Sequence, residues 1–431
     1  MRLSKDFIKP AIVVVALCVG LFTGVPGTAQ AEVYLDGFTE IIQAARIEQN
    51  MALDGGATFQ NRDYPRGDAR AQLRLSGSSD REEYYVRMDF LSDYALKKDV
   101  SVDIREAYLK LYVADWLSVK VGRQVATWGT GDLLFVNDLF AKDWVAFFTG
   151  QDLSYLKRPQ DLARFSFYKG GATFEFAVAP NYTMDNLPTG ERLSIYNPFL
   201  MRSVGMDSAA TIIDPPRTIG NAELFARVSG YLGSNEWALY GYRGFFPQPL
   251  GVTSDGKLFA PRMSSVGASI RGSVRGLLVN AEGAVYNSEE DNKGTSPAIP
   301  NTSIKGLIGA EKSLGNDLTV SAQWFGDLTT DYDAFKAPFD SAGIAAPDEL
   351  RHTVTLRLTK MLWYQTLKLS FFGYWGISEE DYYLRPSAEY RFSDNVKITI
   401  GGNIVDGNQP NTMFGQFRDN SNLYVRLRRS F

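Results

Sequence analysis

Apolar and polar residues alternate along most of this chain, in segments of about ten residues. In one such segment Val354, Leu356 and Leu358 share one side, whereas Thr355 and Arg357 share the other. A repeat of two residues places alternate side chains on opposite faces of a β-strand. The same alternation is found in segments 69–75, 83–90, 172–178, 222–228, 367–371, 396–400 and 423–427. The pattern therefore predicts an all-β chain whose strands each have one apolar face and one polar face.

The segments between the strands are alternately short and long. Short turns are predicted at positions such as Gly170-Gly171 and Gly315-Asn316, and the longest loops at 127–162 and 180–220. Short turns at one end and long loops at the other are typical of membrane barrels. We therefore expect a closed antiparallel transmembrane β-barrel of about 18 strands, with roughly 16 as the alternative. The first strand, near 38–47, is the least regular because apolar and polar residues share the same parity.

The composition agrees with a barrel. Hydrophobic residues make up 45% of the chain, an ordinary value, as expected when only alternate strand residues meet lipid. Six tryptophans lie near predicted strand ends, where a membrane barrel carries its aromatic girdles. Trp116, Trp237 and Trp363 lie beside short turns, and Trp128, Trp324 and Trp375 lie beside long loops.

The beginning of the chain has the features of a secretory signal peptide. Basic residues precede an apolar run at 12–22, and Ala29-Gln30-Ala31 is a small-residue cleavage site. The apolar run is shorter than the roughly 20 residues of a spanning helix, which disfavours a membrane anchor. We therefore expect a signal peptide at 1–31 and a barrel domain at 32–431.

The last predicted strand ends at Phe431. Leu423, Val425, Leu427 and Phe431 share one parity within it. A final strand of this kind resembles the assembly signal of Gram-negative outer-membrane barrels. The resemblance implies the cell outer membrane as the location, the barrel-assembly machinery as a partner, and contact with outer-membrane lipid and lipopolysaccharide.

Several other classes of chemistry are disfavoured. The only cysteine, Cys18, lies in the predicted signal peptide, so no disulfide or thiolate site is expected afterwards. The formal net charge of −4 makes nucleic acid an unsuitable partner. No motif predicts a cofactor or a metal site. The run Glu289-Glu290-Asp291 could bridge to lipopolysaccharide through Ca²⁺ or Mg²⁺, although acidic loop residues are more often simply solvated.

If the parity is right, the polar faces of the strands after residue 350 form a basic lumen wall. Its predicted members are Arg357, Lys368, Arg385, Arg391, Lys397, Arg426 and Arg428. Basic rings favour the passage of anions. The alternative is that arginine and glutamate pair across strands simply to hold the wall together.

The loop at 127–162 is the most unusual segment because it is rich in large apolar residues. A loop this apolar should not lie free in water. It could fold into the lumen as a constriction, form a short helix packed on the inner wall, or cap the extracellular mouth by packing on neighbouring loops. Acidic residues facing the basic wall would create a transverse field, whereas the aromatic residues would suit apolar cargo. The predicted constriction residues are Trp128, Asp132, Phe135, Asp138, Asp143, Trp144 and Phe147.

One motif precedes and enters this loop. The run Val121-Gly122-Arg123-Gln124, followed by Trp128-Gly129, Asp132 and Asn137-Asp138, resembles a motif of poorly characterised Gram-negative outer-membrane barrels. The Gly-Arg-Gln opening is more distantly similar to alginate-export porins. The resemblance implies an outer-membrane barrel that takes part in transport, and it names no substrate.

Catalysis is not predicted. His352 is the only histidine, and Ser378 is the nearest candidate for a serine–histidine pair, but no Gly-x-Ser-x-Gly motif accompanies it. The sequence favours a porin-like channel for small hydrophilic solutes with a preference for anions. The alternatives are a carrier for apolar or amphipathic molecules and a non-conducting structural or assembly barrel. The apolar outer face could also serve a homotrimer.

Overall fold

The computed structural model describes residues 32–47, 63–197, 200–205, 208, 210–342 and 346–431. The predicted signal peptide at 1–31 lies outside the described residues. Twenty-three strands are present in this part of the chain. In order they are β1 (Glu32–Arg46), β2 (Arg66–Ser78), β3 (Glu82–Asp93), β4 (Lys98–Ala114), β5 (Leu117–Gln124), β6 (Gln160–Lys169), β7 (Ala172–Ala179), β8 (Ile195–Asn197), β9 (Arg202–Val204), β10 (Ile212–Ile213), β11 (Glu223–Leu232), β12 (Asn235–Phe245), β13 (Gly251–Val252), β14 (Leu258–Phe259), β15 (Arg262–Val274), β16 (Leu277–Ser288), β17 (Ser303–Leu314), β18 (Leu318–Thr329), β19 (Leu350–Leu362), β20 (Leu367–Gly376), β21 (Asp381–Arg391), β22 (Val396–Gly407) and β23 (Asn422–Ser430).

Eighteen of these strands form one sheet, in which consecutive barrel strands pair antiparallel. The sheet closes on itself because β1 pairs with β2 on one side and with β23 on the other. The prediction of a closed antiparallel barrel of 18 strands is confirmed, and the alternative of 16 strands is wrong. The five short strands β8, β9, β10, β13 and β14 pair among themselves in the loops.

Two α-helices and three 3₁₀ helices occupy loops of the described chain. The α-helices are α1 (Trp144–Phe148) and α2 (Tyr332–Ala342). The 3₁₀ helices span Leu153–Tyr155, Ile219–Asn221 and Gly415–Asn420. No helix among the described residues is both long enough and apolar enough to cross a membrane.

The two faces of the sheet are chemically different because side chains alternate along each strand. On β17 the outward Ile308 is 62% exposed, whereas the neighbouring inward Leu307 is 1% exposed. A closed sheet pairs the backbone groups of its strands with one another and leaves no edge, which is what a hydrocarbon environment requires. The apolar outer face therefore suits lipid, and the polar and packed face encloses the lumen.

The connections divide the barrel into two ends. The short-turn end holds turns such as 170–171, 233–234 and 315–317, and the long-loop end holds the connections 125–159 and 180–222. One connection at the long-loop end is short, because β3 extends to Asp93 and β4 begins at Lys98.

The mixed parity of the first strand has a packing explanation. Ile42 and Ala44 of β1 point inward, where they are fully buried in a cluster with Tyr424. Phe38 also points inward and packs on Ala146 and Tyr155 of the loop between β5 and β6. The lumen beside β1 is therefore filled by protein, so apolar residues occupy positions that would otherwise face water.

The predicted tryptophan girdles are only partly present. Trp116 and Trp363 are exposed in turns that adjoin the barrel strands, whereas Trp324 is exposed within β18, opposite Ile308. Trp128, which was expected in a girdle, is instead buried inside, with its ring centroid 5.2 Å from that of Phe140. The loop that carries Trp128 turns away from the outer surface.

Candidate functional site

The connection between β5 and β6, residues 125–159, packs against the inner wall of the barrel; we call it the lumen loop. Gly129 begins the inward turn with a φ of 77°, a conformation that favours glycine. The loop side chains share one apolar cluster with inward residues of strands on several sides of the barrel, including Phe225, Leu307 and Tyr383. The buried aromatic residues of the loop are Trp128, Phe140, Trp144, Phe147, Phe148 and Tyr155.

The motif that precedes the loop shapes its entry. Gly122 of β5 has a φ of 125°, and a Cβ there would lie 2.2 Å from the carbonyl oxygen of Ala107. The Gln124 side chain is fully buried and donates to the carbonyl oxygens of Gly122 and Leu162. Arg123 forms a two-point ion pair with Asp161, at 3.0 and 3.3 Å. These residues fix the position at which the chain leaves the wall.

Glu282 of β16 holds the first part of the lumen loop. Its Oε1 accepts hydrogen bonds from the backbone N–H and the hydroxyl of Thr130 and from the N–H of Gly131. Its Oε2 accepts from the N–H of Asn137 at 3.2 Å and from the side-chain Nδ2 at 2.9 Å. One buried carboxylate thus binds five donors of the loop. Sequence reasoning missed this residue, because its only signal is one acid among the small residues Ala281 and Gly283.

Asp132 joins the loop to the basic wall. Its carboxylate forms a two-point ion pair with Arg357 of β19, and Arg357 Nη2 lies 2.8 Å from Asp132 Oδ1. The Arg357 guanidinium also lies 4.6 Å from the centre of the Phe372 ring. The two charged side chains are 23% and 36% exposed, so this pair borders open space within the barrel.

The helix α1 places an aromatic cluster against the inner wall at β21. Asp143 caps the helix by accepting a hydrogen bond from the N–H of Ala146 at 2.8 Å. Phe147 and Phe148 pack edge-on against Tyr383, with centroids 5.2 and 5.0 Å away, and the Tyr383 hydroxyl donates to the Phe147 carbonyl. The short helix therefore fills the part of the lumen beside β20 and β21 with packed rings.

Two other loops lock this cluster in place. Phe414 and Phe417, from the loop between β22 and β23, pack against the ring of Phe148. Asp185, from the loop after β7, accepts hydrogen bonds from Trp144 Nε1 and from the N–H of Lys142, each at 2.8 Å. Burial raises the pKa of Asp185, against the lowering effect of nearby Lys142. Three loops therefore meet at the long-loop end.

The last part of the lumen loop is held by charge. Asp152 lies 3.7 Å from Arg426 and 3.5 Å from Arg428, both on β23, and these arginines also contact Glu40 of β1. Burial alone would raise the pKa of Asp152. The two arginines and hydrogen bonds from Ser154 outweigh burial and hold that pKa at about 2. Asp152 is therefore a carboxylate at any physiological pH, and it was not among the predicted site residues.

Tyr155 is a second attachment point. The guanidinium groups of Arg70 and Arg105 lie over its ring, at 4.3 and 4.4 Å from the ring centre. Its hydroxyl donates to Asp89 Oδ2 at 2.8 Å and accepts from Gln72 Nε2 at 2.9 Å. Burial raises the pKa of this phenol, with the negative charge of Asp89 adding to the effect and Arg70 opposing it. The hydroxyl therefore stays protonated.

The seven predicted basic residues of the wall share the inward parity of their strands, but they do not act alike. Arg426 and Arg428 pair with acids, and Lys397 pairs with Glu389 at 2.9 Å. Arg385 stacks on Phe147, with its Cζ 4.5 Å from the ring centre. Lys368 and Arg391 are exposed near the short-turn end. Cross-strand pairing and accessible positive charge are therefore both present in this wall.

Two of the predicted acidic residues do not face that wall. Asp138 lies 3.1 Å from Lys142 of the same loop and accepts from the Thr127 hydroxyl at 2.7 Å. Asp143 is occupied by its capping contact and by Asn186. The expectation of three aspartates opposite the basic wall is therefore wrong in its details, because two of them satisfy local donors. Phe135 packs against Trp144, with centroids 6.1 Å apart.

The serine–histidine pair considered from the sequence is not formed. His352 is on the outer face, where its Nδ1 accepts a hydrogen bond from Trp324 Nε1 at 3.2 Å. The Ser378 hydroxyl contacts the backbone N–H of His352 and not the imidazole. Among the described residues, no group of three or more acidic, histidine or cysteine side chains is placed to hold a metal ion. Glu289, in the acidic run, is paired with Arg243.

No protein-family model and no curated protein matches the chain. Solved structures do match. OccAB3 of Acinetobacter baumannii is 10% identical and OccK3 (OpdO) of Pseudomonas aeruginosa is 11% identical, each with a TM-score of 0.53. The matches cover 93% of this chain in both cases, and 99% and 95% of those chains. The outer-membrane channel DcaP of Acinetobacter baumannii matches with a TM-score of 0.43 at 11% identity, over 95% of this chain and 99% of that chain.

At these identities the likeness shows the fold alone. OccAB3 and OccK3 match nearly the whole chain, so the fold that they share with it is the complete barrel and not a part of it. These structures add no support to the resemblance noted for the motif at 121–138. The substrate must therefore be approached from the chemistry of this chain's own lumen.

Proposed function

We propose that this protein is a porin-like channel in the outer membrane of a Gram-negative bacterium, gated by the lumen loop. It passes small hydrophilic solutes and prefers anions. The apolar outer face embeds in lipid, and the closed sheet removes the edges that hydrocarbon does not tolerate. The barrel-assembly machinery would recognise β23 during insertion into the membrane. A homotrimer would form through part of the outer face.

The observation that carries this proposal is the attachment of the lumen loop at both ends, with a solvated ion pair between. Glu282 binds one end and Arg426 with Arg428 binds the other. The pair Asp132–Arg357 lies between them and borders open space. The lumen loop combines apolar packing with polar attachments beside a charged passage. This arrangement is suited to gating, because the polar contacts can be exchanged for contacts with solute or water.

The anion preference is supported by the distribution of charge. Lys368 and Arg391 are exposed on the inner face near the short-turn end. Rings of accessible basic side chains favour anions in channels. The paired residues, such as Lys397 with Glu389, contribute less because their charges are already compensated.

Planar-bilayer recording of the refolded barrel 32–431 tests the proposal. We expect discrete conductance steps and, in a salt gradient, a reversal potential of the sign given by anion preference. A reversal potential near zero would remove the anion preference. Deletion of 130–148 should increase conductance if the lumen loop is a gate.

A second candidate is a carrier for apolar or amphipathic molecules, favoured by the aromatic cluster of Phe147, Phe148, Tyr374 and Tyr383 inside the lumen. For such a carrier, deletion of 130–148 should abolish uptake of apolar solute without opening a large ion pathway. A barrel that only has a structural role should change in neither assay. The same deletion therefore separates the three functions.

A further inference from the structure

The barrel wall holds the Tyr155 side chain as a binding site holds a ligand. The site is made by three adjacent barrel strands, since Arg70 and Gln72 lie on β2, Asp89 on β3 and Arg105 on β4. All four side chains are buried, and Asp89 is fully buried. The tyrosine comes from a loop. The rigid part of the contact and the removable part are therefore separate pieces of the molecule.

The site is complementary to a phenol. Two guanidinium groups lie over the Tyr155 ring, with the Cζ of Arg70 4.3 Å and the Cζ of Arg105 4.4 Å from the ring centre, close enough for the ring quadrupole to attract both cations. The rim of the site offers Asp89 as acceptor and Gln72 as donor to one hydroxyl. Arg70 also forms an ion pair with Asp89, and Arg105 donates a hydrogen bond to the carbonyl oxygen of Lys157 at 2.9 Å, so both guanidinium groups are held in position beside the ring.

A backbone irregularity creates the site. The pairing of β3 with β4 shifts register between Arg87 and Met88, which leaves Arg105 as the extra residue of a β-bulge. Arg105 and the next residue, Glu106, therefore both reach the lumen side, where Glu106 pairs with Arg87 at 3.0 Å. Bulges of this kind re-aim side chains and are frequent beside functional sites. Without the bulge, Arg105 would not reach the ring from β4.

We propose that Arg70, Gln72, Asp89 and Arg105 form a binding site for a phenolic ring, and that Tyr155 occupies this site when the lumen loop is closed. A phenolic solute that enters the lumen competes with Tyr155 for the site. Its binding releases the segment around 149–157 from the wall. The binding half of this proposal is independent of the proposed channel function, whereas an effect on conductance rests on that function.

The binding half is tested with p-cresol, which is the tyrosine side chain as a free molecule. Tyr155→Ala should leave a cavity of the shape of the probe, as engineered cavities bind the group they lack. We expect the purified variant barrel to bind p-cresol saturably in calorimetry, at least tenfold more tightly than toluene. Adding Arg105→Ala should weaken the binding at least tenfold. Equal affinity for p-cresol and toluene, or no dependence on Arg105, would overturn the site.

Folding is controlled by heat-modifiable migration on a gel and by Tyr332→Ala. Tyr332 lies on α2, outside the lumen, and its hydroxyl contacts only the Pro347 carbonyl among the described residues. This variant should bind no p-cresol. If Tyr155→Ala does not fold, Tyr155→Phe keeps the ring and loses only the hydroxyl contacts. In that variant p-cresol should displace the loop at a concentration at least several-fold lower than in the wild type, and an unchanged concentration would overturn the proposal.

The gating half is tested in bilayers. Millimolar p-cresol should raise the open probability of the wild-type channel, and toluene should not. Tyr155→Ala should be open without either compound. Saturable binding with no change of conductance would support the site and overturn the gating role. A channel that conducts and responds to p-cresol and toluene alike would overturn the phenol specificity and leave the channel function standing.

Discussion

Arg357 of β19 and Asp132 of the lumen loop form an ion pair across the inside of the barrel, with Arg357 Nη2 2.8 Å from Asp132 Oδ1. It joins the basic wall to the loop. Because both side chains remain partly exposed, each charge can act on a passing ion as well as on its partner.

Neutralising the two partners should therefore change ion selectivity in opposite directions. Arg357→Gln should lower the anion-to-cation permeability ratio, and Asp132→Asn should raise it. A unit charge near a passing ion is worth about 1 kcal/mol in a watery lumen, or roughly fivefold in the ratio. Reversal potentials in a salt gradient measure the permeability ratios of both variants. Shifts in the same direction would mean that loop displacement, and not charge, dominates.

Glu282→Gln should loosen the first part of the lumen loop. The amide oxygen would still accept from some of the five loop donors, but the amide NH2 group would meet the others donor to donor, at a cost of about 2–3 kcal/mol. We expect faster amide hydrogen exchange in 129–137 and a noisier open channel. Glu311→Gln on β17 is the matched control, since no described contact joins Glu311 to the loop. Unchanged exchange in 129–137 would show that the apolar packing alone holds this part of the loop.

The attachment at Asp152 should weaken in acid. Its pKa in the closed loop, about 2, is lower than the roughly 3.9 of a free aspartate, so the ionised form stabilises closure. The stabilisation is complete above about pH 4 and is lost as the pH falls toward 2. The open probability should therefore rise over this window. In Asp152→Asn this part of the pH dependence should be absent, and an unchanged profile would assign the effect to another group.

The outer face should show a dependence on membrane depth. Ile308 lies at the middle of β17, and Leu314 lies at its short-turn end. Ile308→Lys should destabilise the barrel in lipid vesicles by roughly 2–4 kcal/mol, whereas Leu314→Lys should cost about 0–1 kcal/mol. Denaturant unfolding in vesicles measures the difference. Equal costs would contradict a lipid-facing position for Ile308.

The barrel could be predicted from the sequence because the alternation that defines each strand lies within a few consecutive residues. A period of two in segments such as 354–358 fixes which residues face outward, and alternate connection lengths fix the two ends. The register shift at Arg105 could not be predicted, since a bulge leaves the composition of β4 unchanged. The parity of β1 was unclear because Phe38 and Ile42 face packed protein inside the lumen.

The contacts of the lumen loop were beyond such reasoning. Glu282 binds Thr130 across 152 positions of sequence, and nothing local to either residue indicates the other. In the sequence Asp138 and Asp143 are equivalent to Asp132. In the structure, Asp138 and Asp143 accept hydrogen bonds from donors close to them in the loops. Whether a loop aspartate meets the wall depends on the path of the backbone, and that path is set by these distant contacts.

The unequal ends of the lumen have an electrical consequence. Exposed Lys368 and Arg391 give fixed positive charge near the short-turn end, while Phe414 and Phe417 lie in tight packing near the other end. A pore with charge at one mouth and a narrow apolar zone at the other rectifies the ionic current. A voltage of one polarity accumulates mobile anions inside the pore, and a voltage of the opposite polarity depletes them. Currents at equal and opposite voltages should therefore differ, and the larger one reports which way each molecule has inserted.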